Sequence, residues 1–204
     1  MSSEVTVVCV YKTGGKDFSP VYVRRLMNSC IANGANTFIC LTDDLSIEEF
    51  CEIVVLERDL PGWWSKLELF NLPKNKRYVY FDLDTVIHKP ISPLLAFKTN
   101  FAMMRDFTYA DKYASGVMCW SGDHSHLVNN FSKDFIPNYT PLLSGKLGDQ
   151  EYIQDNLGFK PDILQDRFPS LISSYKLSSE IERKNSSVVC YHGRPRPHQT
   201  NWSI

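Results

Sequence analysis

"RYVYFDLDTVIHKP", residues Arg77 to Pro90, sets two acids inside an otherwise apolar run. Tyr78, Val79, Tyr80, Phe81, Leu83, Val86 and Ile87 read as one buried strand of an α/β sheet, by length and by β-branched and aromatic content. A carboxylate buried without a partner is costly, or its pKa moves far upward. Residues two apart in a strand share a face, so Asp82 and Asp84 are expected to point the same way. At the carboxyl end of a strand, that face opens on the crevice where α/β sheets bind ligands. Two such carboxylates repel unless a cation or a shared proton lies between them, and a divalent ion with oxygen ligands answers this. The plainer alternative is a strand-ending turn whose acids only cap backbone.

Upstream, "VTVVCVY" (Val5 to Tyr11) has strand length and composition and ends in the turn "KTGGKDFSP". Ser19 then reads as an N-cap with Pro20 at the first helical position. Val23, Leu26, Met27 and Cys30 keep helical spacing, and Gly34 supplies a stop. "TFICLTDD" and "CEIVVLE" read as strands and "GWWSKLELFN" as a short helix. Downstream, "ISPLLAF" packs back on the sheet, and "NFAMMRD" and "ASGVMCW" are strands. "HSHLVNNFSKDF" and "DQEYIQDNLG" are helices, and "PDILQ" and "SVVCYHG" close the sheet. Helices alternate with strands, without a linker or repeat, which predicts one α/β domain over residues 1–204.

Composition narrows the function. The 204 residues are 43% hydrophobic and 22% charged, as in ordinary globular proteins, and the net charge of −1 gives no field to recruit nucleic acid or anionic membrane. "MSSEVTVVCV" lacks a basic n-region, and no segment has the length of a membrane span, so a cytoplasmic location is expected. The six cysteines form no CxxC pair and no zinc spacing, and read as buried reduced thiols.

Three further segments hold candidate chemistry. "VVCYHGRPRPHQTNW" carries His192, Gly193, Arg194, Arg196 and His198 in a loop stiffened by prolines. Imidazole is a common metal ligand and arginines suit a diphosphate; the other reading is a solvated basic tail. In "GDQEYIQD", Asp149 and Gln150 open a helix, with Asp149 a natural N-cap. In "GWWSKLELF", Lys66 follows Trp63 and Trp64, so an aromatic wall and a cation share one segment; a core tryptophan is the commoner case.

In this order the segments resemble a small glycosyltransferase of the GT-A fold, close to the family 8 type. They run as N-terminal strand, W-x-K helix, hhhhDxD strand, small-Ser-Gly strand, D-Q helix and H-G-x-P-x-P loop, from residue 5 to the end. The resemblance implies a Rossmann-like domain with a mixed, mostly parallel sheet between helices. It implies transfer of a hexose from a UDP-sugar to an acceptor that is a glycan, a protein or a small molecule. Retention of configuration is implied, by front-face attack in which the donor phosphate takes the acceptor's proton. Asp82 and Asp84, with Leu83 between them, match the DxD that holds manganese or magnesium and the diphosphate. His192 resembles a third ligand, and Arg196 replaces a lysine that contacts the diphosphate. Val10, Tyr11 and Thr13 fall where the family holds uracil and ribose. Lys66 matches a basic residue near the donor, Asp149 and Gln150 the pair beside the donor sugar and reacting carbon, and Ser115 and Gly116 the same pocket. Gly193 and His198 belong to the late loop, with His198 placed toward the acceptor.

The late motif departs from the common H-x-x-G-x-x-K-P-W, with Cys190 three residues before Gly193 and His192 one before it. Ala114 stands where asparagine is frequent before Ser-Gly, and the chain reads as a minimal catalytic core. A haloacid-dehalogenase-like, magnesium-dependent phosphatase is the alternative. "YVYFDLDTVI" fits its first motif, with Asp82 as nucleophile and Asp84 as acid/base, and "GDQEYIQD" mimics its late acidic motif. That reading leaves the strands before Asp82, the W-x-K helix and the late loop unexplained. The other class is a binding module that keeps the fold without turnover.

Overall fold

The computed structural model describes residues 4–201; Met1–Ser3, which begin "MSSEVTVVCV", and Trp202–Ile204, which follow the late loop, lie outside them. Apolar runs form β1 (Val5–Tyr11), β2 (Phe38–Thr42), β3 (Glu52–Val55) and β4 (Arg77–Phe81). β5 (Thr85–Ile87), β6 (Phe101–Arg105), β7 (Tyr113–Ser121), β8 (Asp162–Ile163), β9 (Ile172–Ser174) and β10 (Val188–Cys190) follow. The helices are α1 (Pro20–Ala32), α2 (Ser92–Ala96), α3 (His126–Asn129), α4 (Pro141–Ser144), α5 (Asp149–Asn156), α6 (Leu164–Arg167) and α7 (Glu180–Asn185).

Seven strands form one sheet in the order β3-β2-β1-β4-β7-β6-β8. Every neighbour pairs parallel except β7, which runs antiparallel to both β4 and β6. The mixed, mostly parallel α/β sheet expected from the sequence is present. β1 is buried on both faces, with Val7, Val8 and Cys9 fully enclosed, as a central parallel strand requires. α1 buries Tyr22, Val23, Leu26 and Cys30, and Gly34 ends it at φ +108°. Ser19 is its N-cap by position, but its side chain makes no capping bond. All six cysteines are free and buried. Among the described residues no helix is long and apolar enough to cross a membrane.

The opening stretch departs from the single strand expected of it. β4 ends at Phe81 and β5 starts at Thr85, and the two lie in different sheets. Between them the chain turns: the Asp82 N–H donates to Gly116 O at 2.9 Å, and the Thr85 N–H donates to Asp82 O at 3.0 Å. β5 then pairs with β10, which also carries β9, giving a small three-stranded sheet. β9 was not expected, because "ISS" is short and polar; it forms on β10.

Other local readings also shift. "GWWSKLELFN" winds as a 3-10 helix (Gly62–Asn71), while "HSHLVNNFSKDF" divides into α3 and a 3-10 segment, Lys133–Tyr139. "PDILQ" gives only two strand residues before α6 begins. Pairing thus fixes these short elements more than local propensity does.

Candidate functional site

β1, β2, β4 and β6 run in one direction, so their carboxyl ends share one edge of the sheet, joined there by the amino end of β7. A cleft of about 810 Å³ opens at that edge, large enough for a nucleotide-sized ligand. It is lined by every expected site residue but one: Val10, Tyr11, Thr13, Lys66, Asp82, Leu83, Asp84, Ser115, Gly116, Asp149, Gln150, His192, Gly193 and Arg196. His198 is the exception, for it packs edge-on against the Tyr22 ring and meets its hydroxyl through Nδ1.

The floor of the cleft is a buried ionic knot. Lys66 Nζ lies 3.0 Å from both Asp82 Oδ1 and Asp149 Oδ2 and donates to Ser115 Oγ at 3.0 Å. Ser115 in turn donates to Asp149 Oδ2 at 2.7 Å, and the Tyr80 hydroxyl donates to Asp82 Oδ1. Burial works against the lysine charge, but the charges of Asp149 and Asp82 outweigh it and hold Lys66 above the ordinary lysine value. Burial drives the Tyr80 phenol far up, and the neighbouring Asp82 adds to it, so Tyr80 is a donor to the carboxylate.

Local packing sets this geometry. The 3-10 segment buries Trp64, Leu67, Leu69 and Phe70, which turns Lys66 inward. Trp64 meets Tyr152 of α5 edge-on at 6.1 Å, fixing α5 beside that segment. Asp149 is therefore not the N-cap that its position suggests: Gly148 caps the helix, at φ +74°, and the Asp149 carboxylate turns to Lys66. Gly116 keeps this approach close, since a Cβ there would lie 3.3 Å from Asp82 Oδ2 and 3.1 Å from Met104 Cε and would crowd both side chains.

Asp84 has a different partner. It is buried and paired with the Arg196 guanidinium, which also donates to Asp17 Oδ2 at 2.9 Å and lies over the Phe18 ring. Burial and the Asp82 charge push its pKa up to about 7, against the pull of Arg196 and Lys66. A carboxyl under that repulsion, next to a second one, suits a hard divalent cation that prefers oxygen ligands. The expected third ligand is not gathered with them. His192 Nε2 meets Ser174 Oγ at 2.7 Å, and the ring stacks on Phe107 at 5.5 Å. Among the described residues no three His, Cys, Asp or Glu side chains are grouped as a metal-binding set. Burial, and then Lys176, lower the His192 pKa, which keeps the imidazole neutral.

Sequence reasoning missed four residues here. Asp43 fixes the β1 end by accepting from the Thr13 N–H at 2.8 Å and its hydroxyl at 2.7 Å. Burial opposes its charge, but these bonds and Lys12 lower its pKa to about 2. Asp106 accepts from Gln150 Nε2 at 3.4 Å, Asp17 pairs with Arg194 and Arg196, and Tyr80 read only as core. Asp43 and Asp106 follow apolar strands as Asp82 does, a signal that could have found them, though without the second acid two residues on that marks Asp82.

No family model matches the sequence, and no curated protein matches it. Solved structures do match the fold. The glycosyltransferase GlyE of Streptococcus pneumoniae superposes over 99% of this chain and 57% of its own, with a TM-score of 0.64 and 10% identity. The galactosyltransferase LgtC, solved with donor and acceptor sugar analogues, covers 94% of this chain and 88% of its own at TM-score 0.53 and 11% identity. A glycosyltransferase involved in glycosylation of the major capsid of PBCV-1 covers 95% and 96% at 0.59 and 13%. The chain spans about half the length of GlyE and of the bifunctional WbbM, 57% and 48%. The chain thus has the GT-A glycosyltransferase fold.

Proposed function

We propose that this chain is a metal-dependent glycosyltransferase that moves a hexose from a UDP-sugar to an acceptor hydroxyl with retention of configuration. The observation that carries the reading is the convergence of Asp82, Asp84, Lys66, Ser115, Asp149 and Gln150 on one cleft from separate elements. The phosphatase alternative has no support: β4, which leads to Asp82, is the fourth strand of the chain and lies between parallel β1 and antiparallel β7. The matching folds are glycosyltransferases.

In the transfer, the bond from the anomeric carbon to the diphosphate oxygen breaks, and its electron pair stays on UDP. A bond forms from that carbon to the acceptor oxygen, whose proton passes to the departing phosphate oxygen. Asp82 and Asp84 would hold manganese or magnesium, which when bound would supply positive charge for the departing diphosphate. His192, whose Nε2 is held by Ser174 Oγ, lines the same cleft and would complete the ligand set only by moving toward the two carboxylates. Arg196 offers a planar guanidinium to the diphosphate. Val10, Tyr11 and Thr13 receive the nucleoside, with Thr13 anchored by Asp43. Asp149, oriented by Lys66 and Ser115, accepts from donor-sugar hydroxyls, and Gln150, steadied by Asp106, faces the reacting carbon. Residues 1–204 act as one catalytic unit, with Gly116 and Gly193 allowing close backbone approach.

The test is thermal unfolding with UDP, in Mn²⁺ and in EDTA, beside release of free UDP from UDP-sugars and of phosphate from a phosphoester. UDP at a hundredfold excess over its Kd is expected to stabilise by about 2.7 kcal/mol in Mn²⁺ and far less in EDTA. Equal shifts in both conditions sink the metal bridge, and phosphate release without UDP release sinks the transfer.

A further inference from the structure

We propose that Trp63 and Phe107 form the aromatic walls of an acceptor subsite at the mouth of the cleft, and that the subsite takes a pyranose ring. This rests on the transfer reading above.

Trp63 and Trp64 are neighbours with opposite fates. Trp64 is 3% exposed and stacks on Phe131, so the core accounts for it. Trp63 is 62% exposed, yet it lines the catalytic cleft, and among the described residues no aromatic ring packs on it. An indole left in water forgoes the stabilisation its burial would bring. Its placement is nonetheless built. Gly148 sits at φ +74°, and a Cβ there would lie 3.0 Å from Trp63 Nε1. The bare backbone lets the indole edge lie against the residue just before Asp149 and Gln150.

Phe107 is the second ring. It is anchored in the core, backed by His192, and exposed to the same cleft. It directly follows Asp106, which accepts from Gln150. Each ring thus sits near residues that carry the polar groups of the cleft: Trp63 lies against Gly148, which precedes Asp149 and Gln150, and Phe107 follows Asp106 in the chain. A pyranose has the matching pattern, with an apolar C–H face for an aromatic ring and a rim of hydroxyls for carboxylates and amides. The donor sugar belongs with the deep groups, since Lys66, Ser115 and Asp149 are all buried. A ring as open as Trp63 meets the molecule that enters after the donor.

The test is saturation-transfer NMR on the protein with UDP and Mn²⁺, using methyl glucopyranosides, methyl galactopyranosides, lactose, maltose and open-chain mannitol as probes. At least one pyranoside is expected to bind, with its signal strongest on one C–H face, while mannitol is silent. Trp63→Ala is expected to weaken that binding about tenfold and Trp63→Phe to keep most of it, as a loss of ring stacking requires. UDP affinity is measured on the same samples by calorimetry. Binding undiminished in Trp63→Ala overturns the inference, as does binding of no pyranoside by protein that binds UDP. A fall in UDP affinity in Trp63→Ala assigns the ring to the donor nucleotide and also overturns it. Lower affinity for a UDP-sugar with unchanged affinity for UDP assigns the ring to the donor sugar, which overturns the acceptor subsite as well. Wild-type protein that binds no UDP overturns the transfer reading and the subsite with it.

Discussion

Asp82 and Asp84, two residues apart, are neutralised by cations from opposite parts of the chain. Lys66 comes from a segment whose neighbours Leu67, Leu69 and Phe70 are buried, and it is shared among Asp82, Asp149 and Ser115. Arg196 comes from a proline-bordered loop outside both sheets and bridges Asp84 to Asp17, and Asp17 and Asp82 are alike about one-third exposed. One cation belongs to a packed 3-10 segment; the other belongs to a late loop outside the two sheets. In the reading proposed above, the two ion pairs are therefore expected to carry different burdens, stability at the first and ligand exchange at the second.

The strongest way to break this contrast is to remove the first cation. Lys66→Met leaves Asp82 and Asp149 facing each other, and a buried charge without its partner typically costs about 3–5 kcal/mol. Urea unfolding at pH 7 is expected to show a loss of that order. A loss below about 1 kcal/mol, the worth of a surface pair, makes Lys66 no more structural than Arg196.

Asp84→Asn comes next and has the opposite sign for stability. The Asp84 pKa of about 7 in the folded protein lies above the unfolded carboxylate value. The folded state therefore holds an extra proton between about pH 4 and pH 7, and stability falls as pH rises through that window. Without metal, Asp84→Asn is expected to melt higher than wild type at pH 8 and nearly with it at pH 4. Transfer is expected to fall about a hundredfold or more, because a charge that serves the departing diphosphate is gone. A variant with the wild-type rate at saturating Mn²⁺ removes Asp84 from the ligand set.

The smallest effects separate the two late histidines. His192→Ala is expected to weaken Mn²⁺-dependent UDP binding about tenfold, the lower end for perturbing a metal site. His198→Ala is expected to do less, since His198 lies on Tyr22 and outside the cleft lining. Calorimetry in Mn²⁺ and in EDTA reads both. The reverse order exchanges their roles, and no metal dependence lost in either leaves the ion to Asp82, Asp84 and water.

What the sequence disclosed follows the same division. β1, β2 and β4 were legible because a parallel strand buried on both faces must be apolar throughout. The break after Phe81 was not, because β5 is three residues long and exists only by pairing with β10. Asp149 misled because the local rule for helix starts is strong, whereas its actual partner, Lys66, is supplied by tertiary packing. Residue types in order located the cleft, and which charge meets which depended on contacts no window of sequence contains. Asp106 and Asp43 are the instructive omissions, since each closes an apolar strand, Asp106 lining the cleft and Asp43 anchoring Thr13 beside it, without a second acid two residues on to mark it.

The crossing turn between the two sheets also bears on how the chain assembles. Asp84 O accepts from the Tyr191 N–H, and Thr85 pairs with Cys190, so the second acid is held by residues made long after it. During synthesis the central sheet can gather from β1 to β7 while the far wall of the cleft is still untranslated. Closing so long a loop is entropically slow, and folding rates fall as contacts become less local. The nascent protein thus passes through a stage with its scaffold formed and its second carboxylate untethered. The wall of the cleft that carries Asp84 is completed as one of the last events of folding.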